Sequence, residues 1–436
     1  MLFKFPKPSQ NQLDLESRIL TEKRKEQQIL LFKKYYAKFR LLILILLITC
    51  ISFLLFDTFQ NSVSIQNLHI IENNKKNKTL PEFFVSAYLP QVPSAASAHS
   101  SSLVELNNGK LLAIWFAGSR EGAADVALWS STLNKDGWSP PKLVIDRENL
   151  AGSLFSQVRK IGNPLLFVDK VNPQKIHLWF VSVGVGGWAG SSINHTFSDD
   201  NGETWYKPTK LQISPFLNIS NLVRTPPIQF DNGYIGLPIY HEFIKKFGEF
   251  IVLNADGKHI ISQKFMPLYN NISAIQPSLI VDNNTIFALL RNSGKIAENN
   301  INNYIQKVIS KDNGITWNFD NLPHSEVKIR NFSSSIATLK LPSGNWLLVA
   351  NSDASRNFLD LYLSKDKGKN WQLVKQLENA MEYQKNPLYK KDNVLEHEFS
   401  YPSIILGKDN RIHLTYTWNR KTIKYVTFSE QWLSSN

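Results

Sequence analysis

Three stretches of the sequence share the pattern S-x-D-x-G-x-x-W: SDDNGETW at residues 198–205, SKDNGITW at 310–317 and SKDKGKNW at 364–371. In such a stretch the Asp carboxylate can accept hydrogen bonds from backbone N–H groups of its own turn. Gly supplies a positive φ, and Trp packs the turn against a sheet. One copy would be weak evidence, whereas three copies that each follow a strand-like segment predict a repeated architecture.

The spacing of these repeats defines the repeating unit. Degenerate copies start near residues 131 and 253, so consecutive copies lie about 54–67 residues apart. That length corresponds to one four-stranded sheet with its loops, which is one blade of a β-propeller. A sixth unit fits between residue 364 and the C-terminus, with residues 425–428 as a late strand. The sequence therefore predicts an all-β, six-bladed β-propeller.

The N-terminal part of the chain has a different character. Residues 41–56 read LLILILLITCISFLLF, sixteen residues without a charge, which is just short of the roughly 17–25 that span a bilayer. Lysines and arginines precede this run and place the N-terminus in the cytoplasm. A cleaved signal peptide is the alternative, but Asp57 and Thr58 follow the run where small residues would favour cleavage. We expect a basic cytoplasmic segment at 1–40, a transmembrane signal anchor at 41–56, a stalk at 57–83 and the propeller at 84–436.

Composition narrows the kinds of site that the propeller can hold. Of the 436 residues only Cys50 is a cysteine, and it lies in the apolar run, so disulfide and thiol chemistry are not expected. The nine histidines form no HxxxH or HxH pair, so no metal or other cofactor is expected. The net charge is +13, and residues 1–40 alone carry ten Lys/Arg against four Asp/Glu. No nucleic-acid-binding helix or strand is recognisable. We expect a single-pass protein of a bacterial inner membrane with a periplasmic propeller.

The repeats resemble the Asp-boxes of sialidases (neuraminidases) and related BNR-repeat proteins, and the resemblance extends over roughly residues 84–430. In that family the boxes lie away from the catalytic face, which implies a structural role for Asp200, Asp312 and Asp366. The resemblance also implies a pocket in which three arginines bind a substrate carboxylate, because the guanidinium fork matches a carboxylate. A tyrosine nucleophile, a carboxylate base and a general acid complete the implied site.

Three residues match the family's site pattern. Arg291, in the sequence FALLRNS, corresponds to the second arginine, and Arg356, in SDASR, corresponds to the third. Tyr401, in FSYPSII, corresponds to the nucleophile and is followed by a strand at 412–418, as the pattern expects. Because a tyrosine with an ordinary pKa of about 10 is a poor nucleophile, a base should lie beside it.

Two family positions carry different residues here. His99 stands where the first arginine is expected, and Gln276 stands where the catalytic glutamate is expected. Glu242 and Glu398 are the candidate replacements for that glutamate. The first departure removes one of the arginines that would bind the substrate carboxylate. The second removes the expected base, because an amide cannot take the proton of the nucleophile.

The general acid is expected in the loop that follows the opening strands of the first blade. Glu121 and Asp125 are both candidates, and Arg120 beside them is a candidate substrate-binding residue. The sequence does not choose between the two carboxylates, because Asp125 stands directly before a predicted strand while Glu121 lies in the loop.

These residues support three functions. The leading one is an exo-acting hydrolase that removes a terminal acidic sugar, sialic acid or a relative, from a sialoglycoconjugate or other acidic glycan through Tyr401. A uronate-directed polysaccharide lyase is an alternative, because His99 could abstract a proton next to a carboxylate. A glycan-binding propeller without turnover is the third, and Gln276 favours it. The expected partners are the glycan and, through the N-terminal helix, a membrane.

Overall fold

The chain divides into two units, Met1–Val63 and Ser64–Asn436. The computed structural model describes residues 10–72, 79–214, 218–294, 304–319, 326–385 and 397–435. Helix α1 (Gln10–Gln66) forms the first unit, and its last residues belong to the second. Its segment Ser17–Ser52 is long and apolar enough to cross a membrane, a property that membrane anchors and signal sequences share.

The second unit is a six-bladed β-propeller, which confirms the prediction from the repeats. Each blade is an antiparallel sheet of four or five strands. Blade 1 contains β2 (Ser97–Glu105), β3 (Leu111–Gly118), β4 (Ala127–Asn134), β5 (Gly137–Trp138) and β6 (Lys142–Ile145). Blade 2 contains β7 (Lys160–Val168), β8 (Ile176–Val183), β9 (Ser191–Ser198) and β10 (Thr209–Lys210). Blade 3 contains β11 (Leu222–Val223), β12 (Ile228–Gln229), β13 (Ile235–His241), β14 (Phe247–Leu253) and β15 (Ile260–Phe265).

The other three blades repeat this plan. Blade 4 contains β16 (Ala274–Asp282), β17 (Thr285–Asn292), β18 (Tyr304–Ser310), β19 (Asn318–Phe319) and β20 (Glu326–Arg330). Blade 5 contains β21 (Ala337–Lys340), β22 (Trp346–Ala350), β23 (Phe358–Ser364) and β24 (Gln372–Asn379). Blade 6 contains β25 (Phe399–Leu406), β26 (Ile412–Trp418), β27 (Thr422–Phe428) and β1 (Phe84–Tyr88). Two short helices, α2 (Arg147–Leu154) and α3 (Ala380–Lys385), lie between strands.

Blade 6 closes the ring with strands from both ends of the propeller. Its outer strand β1 pairs antiparallel with β27, so that Phe84 faces Phe428 and Tyr88 faces Lys424. The ladder hydrogen bonds of this pair tie the beginning of the propeller to its end. Without this pair the blade 6 sheet would have three strands, and β27 would be its outer strand.

The apolar core lies between the blades. Strand β8 shows why its sequence IHLWFVSV is apolar on both faces: Leu178 and Phe180 pack toward blade 1, whereas Trp179 packs toward blade 3. Successive side chains of a strand point to opposite faces, so a strand buried on both sides reads as a nearly continuous apolar run. The same arrangement fills each of the six interfaces between neighbouring blades.

The Asp-boxes lie in the turns that follow the third strands of blades 2, 4 and 5. In blade 5 the carboxylate of Asp366 accepts hydrogen bonds from the Ser364 hydroxyl at 2.8 Å and from the Asn370 N–H at 2.8 Å. Burial alone would raise the pKa of Asp366, but the hydrogen bonds from Asn370 and Ser364 outweigh it and lower the pKa to about 2. A carboxyl with a lowered pKa in the folded state stabilises the protein above about pH 4, and this stabilisation is lost as the pH falls toward 2.

We expect Asp366→Ala to lower the thermal unfolding midpoint by a few degrees. The substitution removes the acceptor of hydrogen bonds from Ser364, Lys369 and Asn370, a loss on the order of 1–2 kcal/mol. Asp136→Ala in the degenerate copy is the matched control, since in the described part of the chain that carboxylate accepts no hydrogen bond. Thermal melts of the full chain followed by circular dichroism measure the difference. Equal shifts in both variants would show that the box carboxylate is not stabilising.

Residues 64–72, which belong to the predicted stalk, pack against the propeller. Ile65 and Ile70 are buried in the core between blades 3 and 4, and Ile70 forms an isolated bridge with Phe230. The side-chain amide of Asn313, in the blade 4 Asp-box, donates to the carbonyls of Ile65 at 2.9 Å and Leu68 at 2.7 Å. This segment therefore attaches at the end of the propeller where the Asp-boxes lie.

Candidate active site

The first strands of the blades carry a bulge at one end, and these bulges build the site. In blades 1, 2, 4 and 6 the register against the second strand shifts by one extra residue. Each bulge holds a residue other than glycine with a positive φ: Ser100 (53°), Asn163 (46°), Gln276 (52°) and Tyr401 (55°). Such backbone costs about 1–3 kcal/mol at each residue, and a bulge redirects the side chain it carries.

Two of these bulge residues meet at the hydroxyl of Tyr240, which lies near the end of β13 in blade 3. Asn163 donates to this oxygen at 3.1 Å, and the amide nitrogen of Gln276 donates to it at 3.2 Å. Tyr240 is buried, and burial together with the charge of Glu242 raises its pKa far above the ordinary value. Tyr240 is therefore a neutral acceptor that fixes the orientation of Gln276.

Arg291 extends this network to blades 5 and 6. Its Nη1 donates to the Gln276 carbonyl oxygen at 3.1 Å, and its Nη2 donates to the Ser333 hydroxyl at 3.1 Å. Nη1 also makes a longer contact of 3.5 Å with the Tyr401 hydroxyl. Gln276 and Tyr401 thus share the same guanidinium nitrogen, and residue 276 presents an amide to it.

Tyr401 is surrounded by cations and one imidazole. The guanidinium carbons of Arg224 and Arg356 lie 5.3 Å and 5.7 Å from the centre of the phenol ring. The His99 ring packs against it edge-on, with ring centroids 4.4 Å apart. None of these contacts is with a carboxylate, so the groups that surround the Tyr401 ring suit a bound anion.

Arg224 packs against the Tyr401 ring and is 3% exposed. Its guanidinium donates to backbone carbonyls of blades 1 and 6, namely Ser101 at 3.2 Å, Tyr401 at 2.7 Å and Pro402 at 2.9 Å. Burial lowers its pKa to about 10, so it stays charged at neutral pH. A buried cation held only by carbonyls is costly, and it fixes the left-handed backbone of Tyr401 while keeping the pocket positive.

Glu398 joins the two remaining arginines of the pocket. One carboxylate oxygen accepts from Arg356 at 2.9 Å and the other accepts from Arg420 at 2.5 Å. Burial opposes ionisation, but the Arg420 hydrogen bond outweighs it and lowers the pKa of Glu398 to about 2. Glu398 is therefore the counter-ion of both arginines, and its carboxylate bonds to them and to the Ser400 hydroxyl.

Glu121 reaches the same network because its carboxylate pairs with Arg420. The guanidinium groups of the pocket, those of Arg224, Arg291, Arg356 and Arg420, outnumber the carboxylates of Glu121 and Glu398 by two. This excess of positive charge suits an anionic ligand.

The other predicted residues lie further out. Asp125 is exposed, and its carboxylate accepts from the Ser119 N–H at 2.8 Å and the Ser119 hydroxyl at 2.9 Å, which lowers its pKa. Arg120 is exposed in the same loop. Glu242 is half-buried on blade 3, with its carboxylate 3.8 Å from the Lys246 amino group.

Sequence reasoning missed Arg224, Arg420, Tyr240 and Ser333. Arg420 lies in the turn between β26 and β27, and its role depends on Glu398 and Glu121, which lie in other loops. No sequence motif marks Arg224 either, because its role depends on carbonyls in two distant blades. In the described residues, no group of three His, Cys, Asp or Glu side chains could hold a metal ion.

Fold and site together define a sialidase-like propeller. Residues 109–414 match the family described as BNR repeat-like domain, and the chain belongs to that family. The fold is similar to that of the Hadza microbial sialidase Hz136 (15% identity, TM-score 0.59), with 78% of this chain and 66% of that one covered. The chain thus spans just under two thirds of that sialidase.

Two further structures are similar over nearly their whole length. A protein of unknown function from Dyadobacter fermentans is 14% identical, with a TM-score of 0.59 and coverage of 80% of this chain and 100% of that one. The intramolecular trans-sialidase from Ruminococcus gnavus is 13% identical, with a TM-score of 0.58 and coverage of 80% and 98%. No curated protein sequence matches the chain. At these identities the similarity establishes the fold.

Proposed function

We propose that the protein is an exo-acting glycosidase that removes a terminal acidic sugar, of the sialic acid type, from a glycan. The observation that carries this proposal is the placement of the Arg291 guanidinium 3.5 Å from the Tyr401 hydroxyl, with Arg356 and Arg224 beside the same ring. A sugar whose carboxylate binds Arg291 and Arg356 would hold its anomeric carbon near Tyr401. Binding group and nucleophile would then act on the same end of the substrate.

The proposed reaction has two displacements. The Tyr401 oxygen attacks the anomeric carbon as it loses its proton, and the glycosidic oxygen leaves with a proton from Glu121 or from Asp125, which lies further out in the same loop. Water then attacks the tyrosyl–sugar bond, and Tyr401 regains a proton. Two displacements retain the anomeric configuration, as in other retaining glycosidases.

The assay uses the full chain in detergent and an α-sialoside with a fluorescent aglycone. Release of the aglycone together with free saturated sugar supports the proposal. An ultraviolet-absorbing unsaturated product would instead indicate a uronate-type lyase reaction on acidic glycans. Absence of both products with a folded sample contradicts the proposed hydrolysis.

Glycan binding without turnover is the second candidate, and Gln276 favours it. Its amide donates to Tyr240 and accepts from Arg291, so it cannot take a proton from Tyr401. Isothermal titration with N-acetylneuraminic acid separates the candidates, because a binding protein would give a saturable signal while the α-sialoside stays intact.

Gln276→Glu is expected to raise kcat on the α-sialoside about tenfold or more. A carboxylate at this position would share Arg291 Nη1 with the Tyr401 hydroxyl and would add a base to the site. Gln306→Glu is the control, since Gln306 is a buried glutamine that bonds instead to the backbone of Tyr269 and Ile272. Unchanged or lower kcat in Gln276→Glu, with an intact fold, would contradict the assignment of this position.

We also propose that α1 is a retained signal anchor in the inner membrane, with the N-terminus in the cytoplasm and the propeller in the periplasm. The apolar segment in Ser17–Ser52 and the basic residues before residue 41 support this topology. Protease added to spheroplasts should digest the propeller and spare an N-terminal epitope. The reverse pattern would refute this orientation.

A further inference from the structure

Resting on the proposed hydrolysis, we infer that His99 accepts the Tyr401 hydroxyl proton during attack on the sugar, in place of the carboxylate that the family carries at position 276. This assigns His99 a catalytic role that neither the fold nor the family supplies. It also explains how a site with an amide at position 276 can activate a tyrosine.

The contacts of Tyr401 leave His99 as the proton acceptor. Within the described residues four side chains contact the phenol: those of Arg291, Arg224, Arg356 and His99. Arginine side chains stay protonated and cannot accept a proton, whereas a neutral imidazole can. Among these neighbours in the described part of the chain, His99 alone has a lone pair to offer.

The state of His99 fits this role. The residue is 1% exposed, and neither ring nitrogen has a hydrogen-bond partner within the described residues. A buried polar group without a partner costs about 1–3 kcal/mol. The imidazole therefore keeps a lone pair that no side chain of the described residues occupies.

The surroundings of His99 keep the imidazole neutral. Burial lowers its pKa well below 6.5, the positive charges of Arg420, Arg356 and Arg224 lower it further, and Glu398 opposes them. A base must be unprotonated to act, so a lowered pKa extends its working range toward acid pH. Activity that depends on neutral His99 is expected to be constant around neutral pH and to fall only well below pH 6.5.

The backbone holds His99 at this position. It ends the regular pairing of β2 just before the bulge at Ser100, whose N–H donates to the Thr417 hydroxyl of blade 6 at 3.0 Å. On its other side the ring packs edge-on against Phe116, at a centroid distance of 5.4 Å. These contacts from blades 1 and 6 orient the ring toward Tyr401.

The step balances without another reactant. The Tyr401 O–H bond breaks and its proton moves to a His99 ring nitrogen, while the phenol oxygen forms a bond to the anomeric carbon. The glycosidic carbon–oxygen bond breaks, its electron pair stays on the leaving oxygen, and that oxygen takes a proton from the general acid. When water hydrolyses the tyrosyl–sugar bond, the His99 proton returns to Tyr401.

The test is chemical rescue of His99→Ala with imidazole in the full chain. We expect kcat of this variant on the α-sialoside to fall about 10²–10⁴-fold, with KM changed only a few-fold. Free imidazole should raise the kcat of the variant at least about tenfold. Imidazole should not rescue Tyr401→Phe. His413→Ala, which removes a buried histidine of blade 6 that bonds to Tyr425, is the control and should keep its kcat.

His99→Gln, which keeps a polar side chain of similar length, covers the case in which His99→Ala does not fold. It should show the same loss of kcat. The activity that remains should lack the fall at acid pH that the wild-type protein shows when His99 becomes protonated. If the wild-type protein turns over the α-sialoside and either variant keeps the same kcat, the role of His99 is overturned while the proposed hydrolysis stands. A loss seen only in KM, or one that imidazole does not reverse, would do so as well. A wild-type protein that releases no sugar would overturn the hydrolysis and this inference together.

Discussion

Replacing Tyr401 by Phe is expected to lower kcat on an α-sialoside by at least about 10³-fold, because the substitution removes the oxygen that forms the bond to the sugar. Binding should survive, because Arg291 keeps its bonds to Gln276 and Ser333. Stopped-time fluorescence of the released aglycone measures kcat, and titration with N-acetylneuraminic acid measures binding.

Tyr206→Phe is the matched control for this substitution. Tyr206 is 54% exposed on the turn after the blade 2 Asp-box, so loss of its hydroxyl should change neither turnover nor binding. If Tyr401→Phe kept more than a tenth of the wild-type kcat, Tyr401 could not be the nucleophile. If binding were lost along with turnover, the hydroxyl would have a binding role.

Arg291→Lys is expected to lower kcat/KM about 100-fold, mostly through KM. The guanidinium bonds Gln276 and Ser333 through separate nitrogens and contacts Tyr401, whereas an ammonium cannot span the same positions or bind a carboxylate with two parallel bonds. The loss corresponds to the few kcal/mol that a buried charged hydrogen-bond partner typically contributes.

Arg411→Lys serves as the control for Arg291→Lys. Arg411 is half-exposed and pairs with the exposed Asp409, so this substitution should leave both kinetic constants within about twofold. The measurement is the dependence of rate on α-sialoside concentration. If Arg291→Lys kept the wild-type KM, the substrate carboxylate would have to bind elsewhere.

The fold could be predicted because its signal is local. Each Asp-box closes its own turn through bonds such as Ser310 to Asp312 and Thr316 to Asp312, so a few residues encode one blade corner. The regular spacing of the boxes then determined the number of blades. Strand β1 was outside this reach, because its partner β27 lies at the other end of the chain.

The site could be predicted only in part. Arg291, Gln276, Tyr401, His99, Arg356 and Glu398 were identified from short motifs, and the structure brings them together. The direction in which Tyr401 and Gln276 point depends on bulges with positive φ, which no residue type signalled. Arg224 escaped prediction because it binds carbonyls of blades 1 and 6. The roles of these residues in a reaction remain proposals.

The proposed function requires the pocket to recognise the carboxylate of a terminal acidic sugar and to cleave its glycosidic bond. The most direct test compares the α-sialoside with its methyl ester, which has the same ring and aglycone but no charge, in the same assay of the full chain. We expect turnover of the free acid and at least about a 100-fold lower kcat/KM for the ester. Equal turnover of acid and ester would contradict the claim, and so would the absence of turnover of either compound by a folded protein.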